Sequence, residues 1–189
     1  MKTKLSLLFM AGGLFFIILA GSKLYTTSKV QTETLLKATE HVASAEPLHK
    51  VDRTVPVENH DILGVLNLPT IESTLPIVAG VSDDDLEKGV GHYTGTALPD
   101  QKDQVVLSGH RDTVFKRLGE LKVGDEITVQ MNYGTFTYVV EETFIVEADD
   151  RTVIKSTAPK EVLTITTCYP FNFVGNAPQR YIVNAKRKE

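Results

Sequence analysis

The 189-residue chain has one cysteine, no tryptophan and no excess of positive charge. A single Cys excludes an internal disulfide framework, a CxxC redox pair and a cysteine-rich zinc site. A formal net charge of −4 gives no global basic signature, so nucleic acid is not an expected partner. With 42% hydrophobic and 23% charged residues, the composition is too apolar for disorder and too mixed for a fibrous or polytopic membrane protein. No internal repeat is present. Charge is uneven: residues 1–60 sum to +2 and residues 61–189 to −6. An acidic folded part disfavours anionic substrates, although local patches can override a total.

What is present begins with one uncharged run, Leu5 to Ser22, preceded by Lys2 and Lys4 and closed by Lys23. Eighteen helical residues cover about 27 Å, close to the hydrocarbon thickness of a bilayer. The run is longer than a signal peptide's apolar region, although Ala20-Gly21-Ser22 resembles a cleavage site. No Cys follows it, so a lipoprotein anchor is excluded. Lysines before the span favour a cytoplasmic N-terminus and an extracellular C-terminal part. The expected organisation is an anchor over 1–22, a partly helical or extended stalk over 23–60, and a folded domain over 61–189. In the stalk the apolar residues Val30, Leu35, Leu36 and Val42 form no sustained helical stripe. His41, His49 and His60 are expected there as solvated side chains.

Past residue 61 the chain reads as short strands: Ile62–Leu66, Gln104–Ser108, Glu126–Met131, Phe136–Val140, Thr143–Val146, Val162–Thr166 and Tyr181–Asn184. They are rich in Val, Ile, Thr and Tyr and separated by Gly, Pro, Asn or Asp. Asn132-Tyr133-Gly134 is expected to turn a hairpin. Ser82 followed by Asp83-Asp84-Asp85 reads as a capped helix start, with Asp85 at the capping-box position; a calcium site is the rival reading of the same triplet. Seven or eight short strands in this length predict an all-β fold, a closed or nearly closed barrel.

Cys168 ends the run Val162–Cys168 just before Tyr169-Pro170, where a strand stops and a loop opens. A lone Cys is ordinarily a small buried hydrophobe, yet exported proteins usually avoid an unpaired thiol, and both readings stand on this residue alone. His110 closes Gln104–Gly109 in the same way, and an imidazole can take or return a thiol proton. His92 lies in the turn-rich stretch Gly89–Gly95. Arg180 opens the last strand twelve residues after Cys168, an interval suited to a loop that returns a guanidinium beside the sulfur. Arg111 competes for that role but is expected on the opposite face from His110. Asp112 is too near His110 in sequence to orient its ring easily.

The runs Thr164-Ile165-Thr166-Thr167-Cys168 with downstream Arg180, and Ser108-Gly109-His110-Arg111 upstream, resemble the signatures of the sortases, membrane-anchored cysteine transpeptidases of Gram-positive bacteria. The wider runs Val106–Phe115, Thr166–Phe171, Leu86–Tyr93 and Gly175–Tyr181 are similar to the class D group, and the likeness covers about Ile62 to Lys186. The family's usual Leu is Ile165 here, a change expected to face the barrel. The resemblance implies an eight-stranded β-barrel with short helices behind an N-terminal transmembrane helix. It implies that Cys168 attacks the Thr carbonyl of an LPxT-type sorting signal, of LPxTA or LPxTG type, in secreted proteins. His110 would shuttle the proton, Arg180 would hold substrate and oxyanion, and a peptidoglycan amine would accept the acyl group. Thr167, Ser108 and His92 are the expected substrate-binding residues. No cofactor is implied and no metal site is placed. The absence of an Asp-Pro plug before the barrel argues against a pilin-polymerising class. A hydrolytic cysteine peptidase, and an anchored cell-wall binding domain with a structural Cys168, are the alternative readings.

Overall fold

In the computed structural model, which describes residues 2–44, 60–173 and 175–188 (side chains from Phe9 onward), eight strands close on themselves. They are β1 (Ile62–Leu68), β2 (Ser73–Ala79), β3 (Val90–His92), β4 (Gln104–Gly109), β5 (Glu126–Met131), β6 (Gly134–Glu147), β7 (Val162–Tyr169) and β8 (Gln179–Arg187). Their order around the barrel is β1-β2-β3-β4-β7-β8-β6-β5. Two helices accompany them, α1 (Lys2–Ala43) and α2 (Asp83–Lys88).

Period-two alternation fills the barrel. Ile127, Val129 and Met131 of β5 point inward, as do Phe136, Tyr138 and Val140 of β6, and all six are buried in one core. The hairpin between them turns at Asn132-Tyr133, with Met131 paired to Gly134. The two runs read separately as Phe136–Val140 and Thr143–Val146 are one long strand. Its register slips between Val140 and Glu142, so a bulge resets the alternation that the sequence shows as a break.

Two strands have no counterpart in the sequence reading. β2 carries Pro76, which ordinarily argues against a central strand. Here the β3 pairing starts only at Ile77, so the proline sits just outside it. β3 has three residues, too few for any period to show, and His92, expected in a turn, lies on it.

Past Ser22 the chain continues as helix to Ala43, so residues 23–43, read as a partly helical or extended stalk, form the second half of α1. This stretch lacks Gly and Pro. Thr26, Thr32, Thr34 and Thr39 each donate a hydroxyl to the carbonyl four residues back, which keeps these groups satisfied inside the helix. The helix packs on β1, β2 and α2. Its docking face has Thr34 and Ala38 buried, whereas Leu36 is exposed. Val30, Leu35 and Val42 are half-buried on the same side, so the face alternates apolar with small residues and shows no stripe of apolar ones alone. The N-terminal half is long and apolar enough to cross a membrane, and its large side chains from Phe9 to Leu24 are exposed.

α2 starts as expected. Ser82 and Asp85 cap one another reciprocally, satisfying two helix-end donors. Asp85 is buried and also pairs with His60 Nδ1, so His60 is not simply a solvated side chain. Burial pushes the Asp85 carboxyl up, but the hydrogen bonds from Ser82 and His60 outweigh it and hold the group below its ordinary value. His41 is exposed, and His49 lies outside the described residues.

Candidate active site

Three strand ends meet at one place on the barrel wall. β4 and β7 run parallel with Gly109 paired to Thr167, and β7 and β8 run antiparallel with Cys168 paired to Arg180. His110 is the first residue past β4, one step beyond its last pair with β7, so the three residues mark a row of adjoining strand ends.

The faces follow from alternation. Leu107 and Ile165 belong to the core, and Ile165 faces the barrel as expected. Cys168, three residues beyond Ile165, lies on the outward face, with Thr166 and Thr164 below it. Cys168 is a free, half-buried thiol. Among the described residues, neither its sulfur nor the His110 ring makes a hydrogen bond. Proton-transfer partners are often loosely aligned before substrate binds. Arg180 Nη1 donates to the carbonyls of Gln179 (2.9 Å) and Ala177 (3.3 Å), so its Nε and Nη2 are the donors left for a ligand.

Gly109 sets where His110 sits. A Cβ there would come within 2.7 Å of the Phe115 ring and of Val114 Cγ2, both buried beneath the turn that follows β4. That turn closes where Phe115 N donates to the His110 carbonyl. Gly109→Ala is expected to cost about 1–3 kcal/mol through overpacking and to displace His110. Urea unfolding and peptide turnover measured together check this, and unchanged values in both would refute it.

The expected substrate-binding residues occupy three different settings. Ser108 is half-buried, paired with Thr166 on one side and Gly91 on the other. Thr167 is 3% exposed and donates Oγ1 to the Gly109 carbonyl at 2.7 Å, bracing the β4 and β7 ends. His92 is 2% exposed, with Nε2 on the Ala97 carbonyl at 2.9 Å and Nδ1 buried without a partner among the described residues. It stands apart from the surface around Cys168.

Burial pushes the His92 imidazole below its ordinary value of 6.5, against the opposing pull of the Ala97 carbonyl. The unfolded chain then binds the extra proton first as pH falls. Stability should be fully present above pH 6.5 and drop on acidification from there down to the lowered folded value. Urea midpoints between pH 7.5 and 5 should fall more steeply for the native protein than for His92→Gln. Parallel curves would show that His92 does not carry the effect.

Arg111 and Asp112 leave the row. Asp112 is exposed, and Arg111 reaches across to the β7–β8 loop, where Nη2 donates to the carbonyls of Phe173 (2.7 Å) and Gly175 (2.9 Å). This contact joins residues 62 and 64 positions apart, and no local pattern announces it. The β6–β7 connection covers the outward face below the row. Gln104 exchanges hydrogen bonds with Val153 and Lys155, and Asp103 accepts from the Thr157 and Ala158 amides. An aromatic cluster of Tyr169, Phe171 and Tyr181 lies beside Cys168, with Phe171 and Tyr181 packed on the core. The sequence reading gave it no role.

A family model described as the Sortase domain matches residues 66–188. Sortase D of Bacillus subtilis (strain 168) is 43% identical over 198 residues, covering 99% of each chain. The fold is similar to that of a Clostridium perfringens Sortase D5 transpeptidase, with a TM-score of 0.74 and 27% identity over 85% of this chain and 99% of that one. It is also similar to Clostridium perfringens sortase C with the C-terminal cell wall sorting motif, with a TM-score of 0.66 and 27% identity over 87% and 90% of the two chains.

Proposed function

The chain belongs to the sortase family of cysteine transpeptidases, which anchor proteins to the cell wall, and from that premise we propose that it cleaves an LPxT-type sorting signal after Thr and transfers the acyl part to a peptidoglycan amine. The row His110–Cys168–Arg180 across three adjacent strands carries this reading. The Cys168 thiolate attacks the Thr carbonyl, and the Arg180 donors left free stabilise the oxyanion that forms. On collapse the C–N bond breaks, and the leaving amine takes its proton from the His110 imidazolium. The thioester is then attacked by the acceptor amine, which gives its proton back to His110 as the Cys168 thiolate departs.

Class D membership, with an LPxTA or LPxTG signal, is the finer proposal, supported by the near full-length likeness to Sortase D. The apolar half of α1 is proposed as a single membrane span with a cytoplasmic N-terminus and an extracellular barrel. The catalytic unit is proposed to be residues 61–189, with the docked part of α1 as its support.

The test is mass spectrometry of the full chain in detergent, incubated with LPxTA and LPxTG peptides with and without a diaminopimelate-bearing amine. A Thr-terminated product ligated to the amine supports transpeptidation and selects the signal. Cleavage without ligation at saturating amine would make it a hydrolase, and an intact panel with an unreactive thiol would overturn the reading.

A further inference from the structure

The strands bearing Cys168 and Arg180 are joined by the segment 170–178, and the wall of any peptide groove beside the sulfur depends on where that segment stands. Its ends are held by the chain itself: Phe171 packs on the core and against Gly119, and the Pro178 carbonyl accepts from the Ala148 amide. Its tip is different. Phe173, Gly175 and Asn176 are exposed, and Gly175 takes a left-handed φ of +99°.

Among the described residues, the hydrogen bonds that join this tip to another part of the barrel come from Arg111 alone. One Nη2 serves both the Phe173 and the Gly175 carbonyls, and the guanidinium carbon lies 6.0 Å from the Phe173 ring centroid. Nη1 is buried and has no partner among the described residues. A guanidinium that grips two carbonyls through one nitrogen while the other nitrogen is buried is tethered to the loop. Arg111 is also the residue next to His110, so the tether runs from the proton-carrying segment to the loop between nucleophile and clamp.

We propose that Arg111 is a positioning residue, a latch that holds the β7–β8 loop tip against the His110 segment and so sets the groove beside Cys168. This rests on the transpeptidase reading for its kinetic consequence, but the latch itself is a statement about the loop. Without it the groove is no longer preformed, and binding must order the loop each time.

The experiment compares the full chain with Arg111→Ala and Arg111→Lys, by steady-state kinetics on the sorting peptide and by amide hydrogen exchange of residues 171–178. Arg111→Ala should raise KM about tenfold or more with a smaller change in kcat. The same variant should speed exchange at the loop tip while β7 stays protected. Arg111→Lys should recover part of both effects, and it decides the matter alone if the alanine variant does not fold. Unchanged exchange with KM within twofold would overturn the latch. A loss confined to kcat with a protected loop would overturn it too, placing Arg111 at the reacting atoms. A native protein that turns over no peptide sinks the transpeptidase reading instead, and the exchange comparison still tests the latch.

Discussion

Cys168→Ala should abolish peptide cleavage and ligation together, a fall of at least about 10⁴-fold, or more than about 5 kcal/mol of barrel-supplied transition-state stabilisation. The argument is one of inventory. Cys168 is the chain's one thiol, and a methyl group offers no electron pair to a carbonyl carbon. Two-step acyl transfer needs the covalent intermediate, so both products depend on the same sulfur. The fold should be indifferent, because the side chain is half-buried and makes no hydrogen bond among the described residues. The check has two parts. Intact-protein mass spectrometry should show an acyl adduct on the native protein and none on the variant, and thermal unfolding should coincide. An adduct on the variant would place the nucleophile elsewhere.

His110→Asn should lower kcat by about 10²–10⁴-fold, the usual worth of a positioned acid–base group. An amide nitrogen is a poor leaving group until it is protonated, and the thioester forms only when it departs. The topology supplies the reason for choosing this imidazole: His110 follows Gly109, whose partner Thr167 precedes Cys168. Asparagine keeps polarity and approximate size but has no proton to lend the leaving amine. Single-turnover acylation reads the loss directly. A variant that retains the native rate would remove His110 from the chemistry.

The proposed site residues stand out in the chain because each marks the end of a β-run. Strand ends show in sequence as a switch from alternating Val, Ile and Thr to Gly, Pro or charged residues, and His110, Cys168 and Arg180 all sit at such switches. β5 and the following hairpin were legible for a similar reason: one face of each strand is buried, so alternation is strict. The reciprocal cap of Ser82 and Asp85 follows from short-range spacing alone.

Other features depend on distance in sequence or on residues that carry no hydrophobic signal. β2 was hidden by Pro76, tolerated only because its neighbour begins one residue later. The burial of His92 depends on β3 being clamped between β2 and β4, which three residues with a central glycine cannot advertise. The second half of α1 docks through Thr34 and Ala38 set among half-buried Val30, Leu35 and Val42, a mixed face that the apolar residues alone do not trace. The Arg111 contact is long-range and directed at backbone carbonyls, whose sequence identity is immaterial.

The unbroken run of α1 from its apolar half into the face that carries Thr34 and Ala38 has a mechanical meaning. With the apolar half in a bilayer, as proposed, the barrel is mounted on a rigid post, whereas a flexible tether would let it roam. From Ser22 to Ala38 the helix rises about 24 Å, and that figure becomes the standing height of the docking point above the membrane. A catalyst held at one altitude meets its clients by lateral diffusion in a plane. Under the proposed function, what a client protein must match is a vertical distance: its sorting signal has to lie at the height where Cys168 is already waiting.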